Sequence, residues 1–220
     1  KGLYLKETFG DSLVDATKTL IESRVIKTPW EISVLRRGAQ ISEIAMEKTI
    51  REIVPGMTEA DVMSLFKMNC QMQSPDVMDI LQAHTLARTY ALGHSTDKHR
   101  EEIYASLWKG NRVAKSMLGP GVRMCDVFNA VQATIKADIP GYKRGHHGHS
   151  IGCNRFTEEY PMIAGTETRN LEAGMVVCLA ISVFGLINRN AHTQIFRYCT
   201  PELLSNNYFH SVFEASKGLF

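Results

Sequence analysis

No long apolar run, no paired cysteine motif and no charge imbalance mark this chain, and each absence removes a class of protein. The longest apolar stretch, Met175 to Phe184, is broken by Ser182 and falls short of the roughly 18–20 residues that a membrane-spanning helix needs. Cys70, Cys125, Cys153, Cys178 and Cys199 are odd in number, scattered and without a CxxC pair, so neither a zinc knuckle nor a disulfide framework is expected. A reducing, cytoplasmic setting fits such thiols. Lys and Arg number 25 against 23 Asp and Glu, which gives no reason to expect nucleic acid or a membrane surface as partner. Low-complexity and signal-like segments are lacking too, and the chain opens at Lys1 without an initiator Met. That opening reads as the later part of a longer polypeptide, or as a trimmed one. What remains is ordinary globular material: 220 residues, 44% hydrophobic and 22% charged, enough for one large core or two small ones.

The clearest local signal is Thr28-Pro29-Trp30-Glu31, an N-cap Thr, a Pro at the first helical position and a Glu completing a capping box. Ile32, Leu35, Ala39, Ile44 and Ala45 then give an apolar face, so a helix is expected to about Ile53, where Pro55-Gly56 stops it. Thr58 caps a second helix carrying Val62, Leu65 and Phe66. The plan recurs. A helix from Ser95 or Thr96 turns Ile103, Leu107, Val113 and Met117 inward and ends at Gly119-Pro120-Gly121. Another, from Met124 to Lys136, carries Val127, Phe128, Val131 and Ile135. Pro55-Gly56-Met57 with Asp61-Val62 matches Pro120-Gly121-Val122 with Asp126-Val127 at the same internal spacing. A helix–Pro-Gly–helix unit written twice is the favoured reading, against the coincidence that Pro-Gly often follows helices. Met57, Met63, Met68, Met72 and Met78 read as core filling and helix face rather than a thioether site.

Beyond the second unit Gly141 to Gly152 is rich in Gly and His. Met175 to Phe184 then reads as a buried strand, with a further strand expected at Gln194 to Cys199. Helices first and strands later point to an α+β domain with helices covering one face of a curved antiparallel sheet.

Three segments in order resemble one family. Ile26-Lys27-Thr28-Pro29-Trp30-Glu31-Ile32 leads to Pro55-Gly56-Met57-Thr58-Glu59; Arg88-Thr89-Tyr90 leads to Pro120-Gly121-Val122. Gly148-His149-Ser150-Ile151-Gly152 continues through Glu158-Glu159-Tyr160-Pro161 to Leu171-Glu172-Ala173-Gly174-Met175-Val176-Val177. Together they resemble the pita-bread fold of the aminopeptidase P, prolidase and creatinase group. The resemblance covers most of Val25 to Cys199 and implies a fold of two related halves. Residues 25–220 are then the pita-bread C-terminal domain, shortened between 66 and 85, or a stretch there is missing. Residues 1–24 are the tail of a missing N-terminal domain or a linker. Family members of this size commonly dimerise through that N-terminal domain, so a homodimer is a partner to consider.

Peptidases of this family hold two divalent metals (Mn, Co or Zn) with two Asp, one His and two Glu, and a bridging water attacks the amide. Carried onto this chain, the ligand positions are Ser74, Thr85, His149, Ala180 and Gln194, with Asp76 and Asp79 near but wrongly spaced for the first pair. A second family histidine is replaced by Phe156 or Thr157. One imidazole with uncharged neighbours does not hold two hard dications, so no metal cofactor is expected.

Gly145-His146-His147-Gly148-His149 puts His149 in the cleft. His146 is a candidate substrate contact, and polar surface is the alternative reading for His146 and His147. Glu158 is the chosen surviving carboxylate, against an exposed acidic Glu158-Glu159 pair. Arg155 either meets a substrate carboxylate or neutralises those glutamates. His192, two residues before Gln194, shares its side of a strand. Three functions follow from the resemblance for a small-molecule or short-peptide substrate. The first is an Xaa-Pro peptidase-like protein without a working two-metal site, including a non-catalytic binding module. The second is a metal-independent C–N hydrolase of creatinase or ectoine hydrolase type, with His149 as acid/base. The third is an incomplete copy of an active metallopeptidase. Hydrolase activity is left open.

Overall fold

The computed structural model describes residues 2–73, 98–151, 159–183 and 212–214. Two short helices, α1 (Gly2–Phe9) and α2 (Thr17–Val25), precede α3 (Pro29–Glu52). The capping box forms as the sequence dictates. Thr28 Oγ1 accepts from the Glu31 amide at 3.2 Å and Glu31 Oε2 accepts from the Thr28 amide at 2.7 Å. Ile53 is the C-cap, after which Gly56 turns the chain at φ 98°. α4 (Glu59–Gln73) is closed by the same device with Asp61 in place of Glu: Thr58 Oγ1 accepts from the Asp61 amide at 3.2 Å, and Asp61 Oδ2 from the Thr58 amide at 2.9 Å.

α5 (Lys98–Met117) and α6 (Met124–Asp138) follow as a second helix pair, with Gly121 at φ 89° between them. A left-handed backbone suits Gly at both turns because no Cβ meets the following carbonyl. The expected start of α5 at Ser95 or Thr96 lies outside the described residues. Among the described residues no helix is long and apolar enough to cross a membrane.

Burial along α3 follows a 3.6-residue period: Ile32, Leu35, Gly38, Ile41, Ala45, Met46 and Thr49 face inward. Ile44 does not. It falls off that stripe and is 46% exposed, which corrects the expected face. Ile41 and Ala45 meet Phe66 and Cys70 of α4, and Asn69 Nδ2 donates across to Thr49 Oγ1 at 3.1 Å and Glu52 Oε2 at 3.0 Å. In α5 and α6 the inward positions Ile103, Val127, Val131 and Ile135 are buried; Leu107, Met117 and Phe128 pack at the margin, and Val113 is half-buried.

Four strands form one antiparallel sheet in the order β2-β1-β3-β4: β1 (His146–Ser150), β2 (Glu159–Ala164), β3 (Val176–Leu179) and β4 (Val212–Glu214). The alternation of β3 divides the core. Val177 and Leu179 join the α5–α6 core, whereas Val176 and Cys178 meet Ile32, Leu35 and Ile151. The molecule is therefore a mixed α+β fold.

Three expectations change. The strand expected over Met175 to Phe184 is four residues long; Ile181 and Val183 are apolar because they pack on the core margin, not because they extend the ladder. Glu159 is no exposed loop residue: it begins β2 and is 7% exposed. Strand β4 was not anticipated, and the strand expected at Gln194 to Cys199 lies outside the described residues.

Candidate functional site

β1 lies between β2 and β3, so its side chains are enclosed by neighbours on both edges. Gly148 permits this. A Cβ there would collide with the Cys178 carbonyl oxygen and lie 3.0 Å from Ile163 Cδ1, so only glycine lets β1 and β3 approach. His149, 2% exposed, faces Cys178 on β3 and Met162 on β2. Its Nδ1 lies 2.9 Å from the carbonyl oxygen of Ser150. A carbonyl only accepts, so this nitrogen carries the proton.

Regular alternation would send residues three apart to opposite faces. Here the β1–β2 register shifts between His146 and His149, and the two rings meet edge to face with centroids 6.2 Å apart. His146 and His149 do converge, a consequence of a bulge that the sequence does not announce. His147 turns the other way and is 0% exposed, which excludes the surface alternative left open for it. It stacks on Phe128 (4.8 Å) and Tyr142 (5.8 Å), with Nε2 3.3 Å from Gln132 Oε1. Burial, with smaller repulsion from Arg144 and His146, pulls its pKa down to about 4. Burial likewise pushes the Tyr142 hydroxyl up to about 12, against a weaker pull from Arg144.

The other end of β1 carries charge. Lys27, 4% exposed, donates from Nζ to Ser150 Oγ at 2.9 Å and to the Val25 carbonyl at 3.1 Å. Glu159 stands across from Ser150 in the register, with Oε1 3.9 Å from Arg24 Nε. Sequence reasoning used Lys27 only as part of a motif and set Glu159 aside for Glu158; nothing local signals that either is buried.

Of the family ligand positions, His149 and Ala180 are described. Ala180 continues the ladder, its amide donating to the His147 carbonyl at 2.8 Å, and its methyl offers no donor atom. Cys178, opposite His149 in the register, belongs to an apolar cluster with Ile32, Leu35, Ile151 and Val176. Among the described residues no group of three or more His, Cys, Asp or Glu is placed to hold a metal ion. Among the described residues, one imidazole opposite an apolar cluster, with a methyl at residue 180, does not fit a pair of hard dications. Ser74, Thr85, Arg155, Glu158, His192 and Gln194, with Phe156 and Thr157, lie outside the described residues. A separate cavity of about 350 Å³ lies between α2 and β2, lined by Lys18, Ile21, Glu22, Tyr160, Pro161 and Arg169 among others. None of the candidate histidines lines it.

Helices packed on an antiparallel sheet, with a glycine-flanked histidine on an inner strand, define the pita-bread superfamily of aminopeptidase P, prolidase and creatinase. Residues 83–198, just over half of the chain, match metallopeptidase family M24, and the chain belongs to that family. Among solved structures, a prolidase from Thermococcus sibiricus shares the fold with a TM-score of 0.68 at 17% identity, covering 81% of this chain and 59% of that one. The prolidase from Pyrococcus furiosus gives 0.64 at 19% identity, covering 80% and 64%. An uncharacterized peptidase of Staphylococcus aureus strain USA300 is 22% identical over 212 aligned positions, covering 79% of this chain and 60% of the relative. The chain thus spans about 60% of the length of the curated relatives it matches.

Proposed function

We propose that this chain is an Xaa-Pro aminopeptidase- or prolidase-like protein that lacks two-metal hydrolysis and keeps its cleft as a binding site for short peptides. Ala180 carries the reading. It extends β3 beside the histidine strand, where the family resemblance calls for a carboxylate, and supplies none. Ser74, Thr85 and Gln194 at the remaining positions add neutral oxygens only, too little charge to offset the dehydration of two dications. His149, His146, Glu158, Arg155, His192 and Gln194 are the proposed peptide contacts. The structural relatives include prolidases and an X-Pro aminopeptidase, which supports a peptide as ligand class.

The domain proposal is a pita-bread unit over 25–220, shortened between 66 and 85. An alignment of 212 positions that takes in 79% of a 220-residue chain supports it, because the relative then carries residues this chain lacks. Matching left-handed glycines at Gly56 and Gly121, each between packed helices, support the duplicated unit over a curved sheet. A second reading, metal-independent C–N hydrolysis, is favoured by one observation. With Nδ1 committed to Ser150, the neutral ring of His149 keeps a lone pair on Nε2, as a general base requires.

Calorimetric titration of an Xaa-Pro dipeptide, with a hydrolysis assay in added Mn, tests the proposal. Saturable binding, weakened roughly tenfold or more in His149→Ala, without hydrolysis is the expected result. Absence of binding, or Mn-dependent turnover, overturns it. Turnover of creatine or ectoine without metal would favour the second reading.

A further inference from the structure

Lys27 and Ser150 are 123 residues apart in sequence and share a buried hydrogen bond of 2.9 Å. A buried ammonium is costly unless its protons find acceptors, and an apolar side chain would fill the same space without that cost. Lys27 therefore has a polar task, and its target is informative. Ser150 follows His149 directly; its hydroxyl accepts from Lys27 and its carbonyl accepts from His149 Nδ1 at 2.9 Å. Lys27 is itself anchored, because its amide donates to the Gly174 carbonyl at 2.9 Å ahead of β3. Glu159, across from Ser150 on β2, brings a buried carboxylate to the same end of β1.

We infer that Lys27 is a positioning residue: by holding Ser150 it fixes the peptide plane whose carbonyl keeps His149 in the Nδ1–H tautomer, leaving Nε2 as the acceptor of the ring. The inference deepens the proposed function and rests on it for the use made of His149; the tautomer itself is a property of the free protein.

The test is nitrogen NMR of the full chain labelled with ¹⁵N-histidine, at a pH where the rings are neutral, with His149 assigned by loss of its signals in His149→Asn. The expected wild-type result is a protonated Nδ1 and a bare Nε2 on His149. Lys27→Met and Ser150→Ala should each lose that single tautomer and give averaged ring nitrogens, while Lys27→Arg, which keeps donors, restores it in part. A wild-type His149 protonated on Nε2 overturns the inference. So do wild-type signals in Lys27→Met or, should that variant not fold, in Ser150→Ala, which retains the carbonyl. Failure of dipeptide binding with the tautomer intact sinks the binding-site reading and leaves the positioning role standing.

Discussion

His147 shows how one residue couples this fold to pH. An unfolded imidazole takes up its proton near 6.5, whereas burial in the core holds the folded one at about 4. Between those values the unfolded state binds more protons, so stability present above pH 6.5 is lost as pH falls toward 4. The expected loss between pH 7 and 4.5 is roughly 2–3 kcal/mol. Urea unfolding measures it, and His147→Leu should flatten the slope. A wild-type curve level across that range would remove His147 from the account. The residue's neighbours explain why the sequence misled. Three histidines beside glycines look like a polar turn, and only Phe128 and Tyr142, brought in from elsewhere, make His147 a core residue. The Gly-His-Ser-Ile-Gly motif was legible because it is local; the burial of Lys27 and Glu159 was not, because their partners are distant.

Among the elements, the helices were the readable part. Thr28 and Glu31, like Thr58 and Asp61, close their helices within four residues of sequence, so the signal and its hydrogen bonds coincide. Thr28→Ala is expected to cost about 1 kcal/mol by chemical denaturation. The strands were harder. β3 ends at Leu179 although apolar residues continue, and the bulge that joins His146 to His149 depends on pairing with β2. Gly148→Ala tests the pairing, because its methyl must displace the Cys178 backbone rather than a flexible side chain. A destabilisation of about 1–3 kcal/mol is expected, with earlier amide exchange along β1 and β3. An unchanged exchange pattern would mean that the close approach of these strands is not maintained in solution.

At the scale of the whole molecule, fold and chemistry part company. The α+β architecture and the family were legible from motif order, since capped helices, Pro-Gly turns and the Gly-His-Ser-Ile-Gly segment survive where they build the scaffold. At the family's ligand positions the sequence supplies chemistry alone, and a methyl at residue 180 offers no ligand atom wherever it stands. Where Ser74, Thr85 and Gln194 stand around His149 depends on segments outside the described residues, and sequence supplies only their chemistry. Under the proposed function, this chain is expected to bind short peptides without cleaving them by the two-metal route.

Metal content by mass spectrometry on protein purified and then incubated with Mn, Co or Zn, read together with Xaa-Pro dipeptide hydrolysis, tests this most directly. Far less than one retained ion per chain and no metal-dependent turnover is the predicted result; two retained ions per chain with turnover would contradict it.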